Sequence, residues 1–344
     1  MHPSIKPSEI SEEILACAQV GLVPIFVGSP GTSKSYSVKK FADDHDLKLI
    51  DIRLGQCTPE DLNGLPMRDG NRAIFAPFNL FPLETDEIPD GYAGWLVFFD
   101  EITSANKSVQ AAAYKVILDR MVSTHNLHPN TIMVAAGNKA TDRAVVNQMS
   151  TALQSRMVQY EVEICTKEFS EHALRADFDY RVRSFLDYMP SRVMFFKPDH
   201  QEKTFPCPRT WEFLSKLIKD NPITPRMFPR IAGCIGAGTA TEFMTFVQEF
   251  DRIPSYEDII RNPQGTKIPS ESSTKYATVS TLVEKFDKEA KVDFKNVLAY
   301  LERFSTEFQI LYMRALVTRH PELINTNIDF KAFARERARY LTAA

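Results

Sequence analysis

Apolar positions along the chain fall into two regimes. In the first half, short apolar runs alternate with helical stretches. Leu22-Val23-Pro24-Ile25-Phe26-Val27 ends in a Gly/Ser/Pro cluster over 28–33, the signature of a strand entering a loop. Lys48–Arg53 alternates apolar and polar with period two, as a half-buried strand does. Trp95–Phe99 and Thr131–Ala136 are continuously apolar, which suits strands covered on both faces, and Met157–Ile164 is a fifth candidate. Lys34–Asp43, Ser108–Asp119 and Ser150–Ser155 read as helices between them. Strands alternating with helices predict crossover units and a mainly parallel sheet.

After Cys165 the strand signal fades. Glu171–Tyr188, Thr210–Lys219, Thr239–Phe250, Lys275–Lys288 and Phe294–Arg319 read as helices, and Phe330–Leu341 as a last one rich in arginine. Asn262–Ser270 carries the turn residues of a loop. The expected organisation is an α/β domain over 1–165, a helical region over 166–262 and a helical extension over 263–344.

Composition changes this picture little. Of 344 residues, 44% are hydrophobic and 25% charged, ordinary globular values. Lys and Arg number 41 against 44 Asp and Glu, a net charge of −3. That balance argues against a chain built to coat nucleic acid or an anionic membrane, while leaving room for a local basic groove. No apolar run approaches the ~18 residues of a membrane span. The start, Met1-His2-Pro3-Ser4-Ile5-Lys6, has no apolar core of a secretory signal. Five cysteines, odd in number and never in a C-x-x-C pair, read as reduced thiols. A soluble, cytoplasmic protein is expected. The histidines show no metal-ligand spacing.

The chemistry sits at the strand ends. Gly28-Ser29-Pro30-Gly31-Thr32-Ser33-Lys34-Ser35 follows the first strand and opens a helix. Such a loop cradles phosphates with backbone N–H groups and the helix N-terminus; its lysine reaches the β/γ-phosphates and its Ser hydroxyl binds Mg²⁺. Ser33 stands where the usual pattern has glycine. Phe98-Phe99-Asp100-Glu101 closes a buried strand with two carboxylates. Asp100 suits Mg²⁺, and Glu101 suits polarising the water that attacks the γ-phosphate. The two motifs together point to hydrolysis of a nucleotide. Asn138 ends the next apolar strand, where it either orients the water or γ-phosphate or caps a turn. Arg156 ends a short helix, a position its interaction with the dipole already favours. Arg209 opens a helix in the second half, where the dipole disfavours it and a ligand-facing role gains weight.

This ordered set resembles the AAA+ ATPases, and within them the MoxR-like branch, over roughly residues 5 to 250. The resemblance implies a phosphate-loop NTPase core with an α-helical lid and a C-terminal helical region. It implies Walker A over Gly28–Ser35, Walker B at Asp100-Glu101, sensor 1 at Asn138, an arginine finger at Arg156 and sensor 2 at Arg209 on a lid helix. Arg143, in the loop after Asn138, is a second candidate for the finger. Arg53–Gly64 and Ala105–Ala112 are similar to stretches of the branch, and its hairpin insertions correspond to Arg72–Phe81 and Met121–Leu127. The resemblance also implies ATP and Mg²⁺ as cofactors. It implies a ring, commonly a hexamer, that remodels or matures a client or adaptor protein, often one with a von Willebrand factor A domain. The rival expectation is a nucleic-acid-linked ATPase such as a loader or replication helper, against which the charge balance weighs.

Overall fold

A computed structural model describes residues 4–139, 147, 149, 151–196, 203–288 and 293–341. The chain forms two compact units, the first running to Cys165 and the second beginning at Thr166. The first is built on a six-stranded sheet, all of whose neighbouring strands run parallel. In chain order its strands are β1 (Ser4–Ile5), β2 (Val23–Val27), β3 (Leu47–Arg53), β6 (Gly94–Asp100), β9 (Thr131–Gly137) and β10 (Met157–Val162). In space they run β1-β10-β2-β9-β6-β3. This is the parallel α/β sheet that the alternation of strand and helix signals predicts, and it has the phosphate-loop NTPase layout that the resemblance implies.

The continuous apolar runs hide a two-sided division of labour. Ile25, Val97, Phe99, Met133 and Ala135 point to one face, where they meet Val109, Ala113 and Val116 of α4 (Lys107–Asp119). Their neighbours Phe26, Leu96, Phe98, Val134 and Ala136 point to the other. There they pack on Ile10 and Ile14 of α1 (Ile10–Gln19) and on Val38 and Phe41 of α2 (Lys34–Asp44). Both faces are covered, so both strand parities must be apolar.

Short insertions decorate this core. After α3 (Pro59–Asn63), β4 (Leu65–Asp69) and β5 (Arg72–Ala76) form an antiparallel hairpin whose residues are almost all exposed. The expected insertion Arg72–Phe81 therefore covers only its second strand. A second hairpin, β7 (Met121–Val122) with β8 (His125–Asn126), lies within Met121–Leu127. α5 (Thr151–Gln154) leads into β10.

The second unit is helical: α6 (Thr166–Arg175), α7 (Tyr180–Tyr188), α8 (Pro208–Ile218), α9 (Phe228–Ile235), α10 (Ala237–Val247), α11 (Tyr256–Arg261), α12 (Ser272–Lys288), α13 (Phe294–Leu301), α14 (Thr306–Arg319), α15 (Leu323–Thr326) and α16 (Ile328–Leu341). Two expected helices are each broken in two. Glu171–Tyr188 is interrupted where Asp177 takes a positive φ of 52° and Asp179 caps α7, its carboxylate accepting from the Arg181 N–H at 2.9 Å. Phe294–Arg319 is interrupted where Ser305 turns extended before α14. Phe185, Trp211, Phe243 and Phe246 form an aromatic core in this unit. Among the described residues, no helix is long and apolar enough to cross a membrane.

Candidate nucleotide site

The first unit gathers its polar strand ends at one edge of the sheet. β2 runs into the 28–35 loop, and the Gly28 N–H donates to the Gly137 carbonyl at 3.2 Å, tying the loop to the end of β9. A side chain at position 28 would strike the Val162 carbonyl at 2.7 Å, so only glycine lets the loop pass this close to β10. The loop then closes on itself: the Thr32 hydroxyl donates to the Ser29 carbonyl at 2.9 Å. Gly31 has φ 84° and Ser33 φ 64°, ψ 13°. Ser33 thus holds the left-handed conformation that a glycine would adopt at this position without strain. The geometry survives the substitution at the cost of backbone strain.

Lys34 begins α2 and turns back into the loop. Its ammonium donates to the Gly28 carbonyl at 2.6 Å, the Ser29 carbonyl at 3.1 Å and the Thr32 hydroxyl at 3.2 Å, and the residue is only 7% exposed. One positive charge therefore sits at the focus of a ring of main-chain groups and a helix N-terminus, an arrangement that attracts anions.

The next residue meets the carboxylate that ends β6. The Ser35 hydroxyl donates to Asp100 Oδ2 at 2.9 Å, while Asp100 Oδ1 accepts from the Glu101 N–H at 2.9 Å. Asp51, on the neighbouring strand β3, is held above the ordinary carboxylate range, first by burial and then by the negative charge of Asp100. A divalent cation would relieve that repulsion. The hard-oxygen pair of a serine hydroxyl and a carboxylate suits Mg²⁺.

Glu101 leaves the sheet in a left-handed conformation, φ 58° and ψ 31°. Such strain costs of order 1–3 kcal/mol and concentrates at functional sites. Room for its carboxylate comes from Gly55: a Cβ there would lie 3.1 Å from Glu101 Oε2. Across the strand ends, the Asn138 N–H donates to the Thr103 hydroxyl at 2.9 Å, and Thr103 is buried. A side chain on Gly137 would come within 2.5 Å of Thr103 Cγ2. Gly55, Gly137 and Thr103 carry no charge, and although Gly55 lies within Arg53–Gly64, nothing in the sequence marks any of the three as shaping the site.

Two of the arginine candidates are exposed. Arg156 is exposed between α5 and β10, its guanidinium 3.2 Å from the Ser155 hydroxyl and 5.5 Å from the centre of the Tyr114 ring. Arg209 is exposed in the first turn of α8, in the second unit. Arg143 falls outside the described residues.

Residues 24–163 match the model of the ATPase family associated with various cellular activities (AAA). The match runs from β2 to β10 of the first unit, about two-fifths of the chain. No curated protein matches the chain at a significant level. Among solved structures, a RuvB variant from Thermotoga maritima is 15% identical, with a TM-score of 0.39 over 90% of this chain and 85% of its own. A protein from Cytophaga hutchinsonii described as an ATPase is 14% identical, with a TM-score of 0.34 over 96% and 88%. NtrX from Brucella abortus is 11% identical, with a TM-score of 0.38 over 82% and 69%.

Proposed function

We propose that the first unit is an AAA ATPase domain driving a MoxR-like ring, a hexamer, that hydrolyses ATP to remodel or mature a partner protein. The observation that carries the enzymatic part is the hydrogen-bonded chain from Ser35 through Asp100 to Glu101. It lies beside a loop whose lysine already points inward.

In this reading Gly28–Ser35 wraps the phosphates, and Lys34 exchanges its loop carbonyls for β/γ-phosphate oxygens. Mg²⁺, held by Ser35 and Asp100, supplies charge neutralisation on those oxygens. Glu101 orients the attacking water and takes its proton. Asn138, its main chain anchored by Thr103, positions the water or the γ-phosphate. Arg156, exposed on its own subunit, serves the nucleotide of the neighbour, and Arg209 contributes sensor 2 from a helical lid over 166–262. Residues 263–344 form an extension to that lid. The branch assignment rests on the similarity of Arg53–Gly64 and Ala105–Ala112, supported by a hairpin within Met121–Leu127 and by a second over Leu65–Ala76 that overlaps Arg72–Phe81 only by its second strand. A client or adaptor with a von Willebrand factor A domain is the partner class this branch favours.

A mixing experiment tests the shared site. Arg156→Ala binds ATP in its own loop but lacks the finger, whose contribution in phosphate-loop enzymes is on the order of 10³–10⁵ in rate. Lys34→Ala cannot bind ATP yet still presents Arg156. Each alone should be inactive, and a mixture should regain hydrolysis. No rescue, with specific activity independent of concentration, refutes the ring. ATPase activity stimulated by DNA, with a steep salt dependence, would replace the protein client with nucleic acid.

A further inference from the structure

The second unit holds a half-open cavity of about 230 Å³ between α6, α7, α12 and α14. Cavities of roughly 150 Å³ accept benzene, so this one has room for an aromatic ring and a short chain. Its lining mixes apolar side chains, among them Leu186, Val279, Val283 and Leu311, with polar and charged ones. Into this lining α7 inserts a carboxylate, Asp187, which accepts a hydrogen bond from the Ser170 hydroxyl on α6.

Of the three cations lining the cavity, Lys167, Arg183 and Arg314, the two arginines are bonded to other carboxylates, although Arg183 Nε has no hydrogen-bond partner. Arg183 donates to Glu284 at 2.9 Å, and Arg314 donates to Glu171 at 3.2 Å. Among the described residues, no basic side chain forms an ion pair with Asp187. An ionised carboxylate in this cavity with one hydroxyl partner is under-compensated, and a ligand that brings a positive charge gains what water there cannot supply.

We infer that this cavity binds a small amphipathic amine, its ammonium on Asp187 and its apolar body against Leu186, Val279, Val283 and Leu311. An anion would face Asp187, and a neutral ligand would leave the carboxylate as it was. The groups around Asp187 are Ser170, Glu171 and the exposed Lys167 from α6, Arg183 from α7, Tyr276 from α12 and Arg314 from α14. Tyr276 directs its hydroxyl to Glu307 at 3.0 Å. Burial pushes the Asp187 carboxyl up to about 6, against the opposing pull of Ser170, Arg183 and Arg314. Asp187 is therefore mostly ionised at pH 7.5 and mostly protonated at pH 5, and amine affinity falls with acidification.

The test is calorimetric titration of the full chain with phenethylamine, which stays protonated across this range. Three comparisons accompany it: 2-phenylethanol as the neutral isostere, 3-phenylpropionate as an anion, and the Asp187→Asn variant. A charge-assisted hydrogen bond predicts that phenethylamine binds about tenfold or more tightly than 2-phenylethanol, and that Asp187→Asn removes the difference. The parent chain, needing no variant, should lose about tenfold in amine affinity between pH 7.5 and pH 5 as its carboxylate is protonated. No phenethylamine binding, equal binding of the neutral isostere, preference for the anion, or an affinity indifferent to pH would each overturn the inference.

Discussion

Ser33 offers a direct measure of what the loop geometry costs. A left-handed conformation disfavours an L-residue by roughly 1–2 kcal/mol, and Ser33 sits there at φ 64°, ψ 13°. Replacing it by glycine removes that strain but releases more freedom in the unfolded chain, worth roughly 0.5–1 kcal/mol. The net expectation for Ser33→Gly is a gain of about 0.5–1 kcal/mol, or about 1–4 °C in Tm for a unit of this size. Ser33→Val, β-branched and poorly tolerated at positive φ, should lose at least about 1 kcal/mol. The two tryptophans make the assay clean, since Trp95 is buried in the first unit and Trp211 in the second. In a Trp211→Phe background, Trp95 fluorescence follows unfolding of the first unit alone. In a Trp95→Phe background, the second unit's transition should not move with Ser33. If Ser33→Gly is no more stable than its parent and Ser33→Val no less, the loop does not hold the left-handed geometry and the strain argument fails.

Three further outcomes follow from described contacts. Lys34→Ala should lower affinity for a fluorescent ATP analogue by at least about a hundredfold, since a charge-assisted contact to each of two phosphates is lost; near-parental affinity would remove the phosphate-loop assignment. Gly137→Ala should cut ATP turnover about tenfold or more while leaving nucleotide affinity within about threefold, because the methyl forces Thr103 off Asn138 and misplaces a positioning residue rather than the phosphates; unchanged turnover would show Thr103 dispensable. Asp187→Asn should stabilise the second unit, because a carboxyl whose pKa is raised to about 6 from 3.8 opposes folding when ionised. The penalty is complete above about pH 6 and vanishes below about pH 4, so unfolding free energies from urea titration should differ by up to about 3 kcal/mol at pH 7.5 and converge at pH 4.

The parallel core was legible because its strands are apolar on both faces. Phe26, Leu96 and Phe98 would be polar in a one-sided sheet, and their apolar character marks them as central. The same reasoning fails where burial is partial or absent. β4, with the sequence Leu-Pro-Met-Arg-Asp, is exposed throughout, so no alternation could report it. α1 buries only Ile10, Ile14 and Cys17, a stripe too thin to stand out, although its spacing of four and then three is helical. The breaks at Asp177 and Ser305 depend on single-residue backbone choices inside otherwise helical composition. At the candidate site, charged residues in motif order pointed to Lys34, Asp100 and Glu101. The neutral residues that shape it, Gly55, Gly137 and Thr103, act through distances that only tertiary packing creates.

The β4–β5 hairpin bears on how the molecule opens. Leu65, Met67 and Ile74 occupy one of its faces and Pro66 and Phe75 the other, and Leu65, Met67, Ile74 and Phe75 are each exposed by more than two-fifths. A two-stranded ribbon without a covering layer is marginally stable. Its attachment relies on Gly64, where φ is 86° and any side chain would collide with the Ala76 carbonyl. The ribbon is therefore the element of the first unit expected to unzip first, at a free energy far below global unfolding. Its amide protons should exchange with solvent orders of magnitude faster than those of β2 or β9, and a protease should nick the chain near Gly70 while the sheet stays intact. Once unzipped, its apolar strands offer bare edges to a second chain, so self-association at high concentration should track the hydrogen-exchange rate of this ribbon and not the melting of the core.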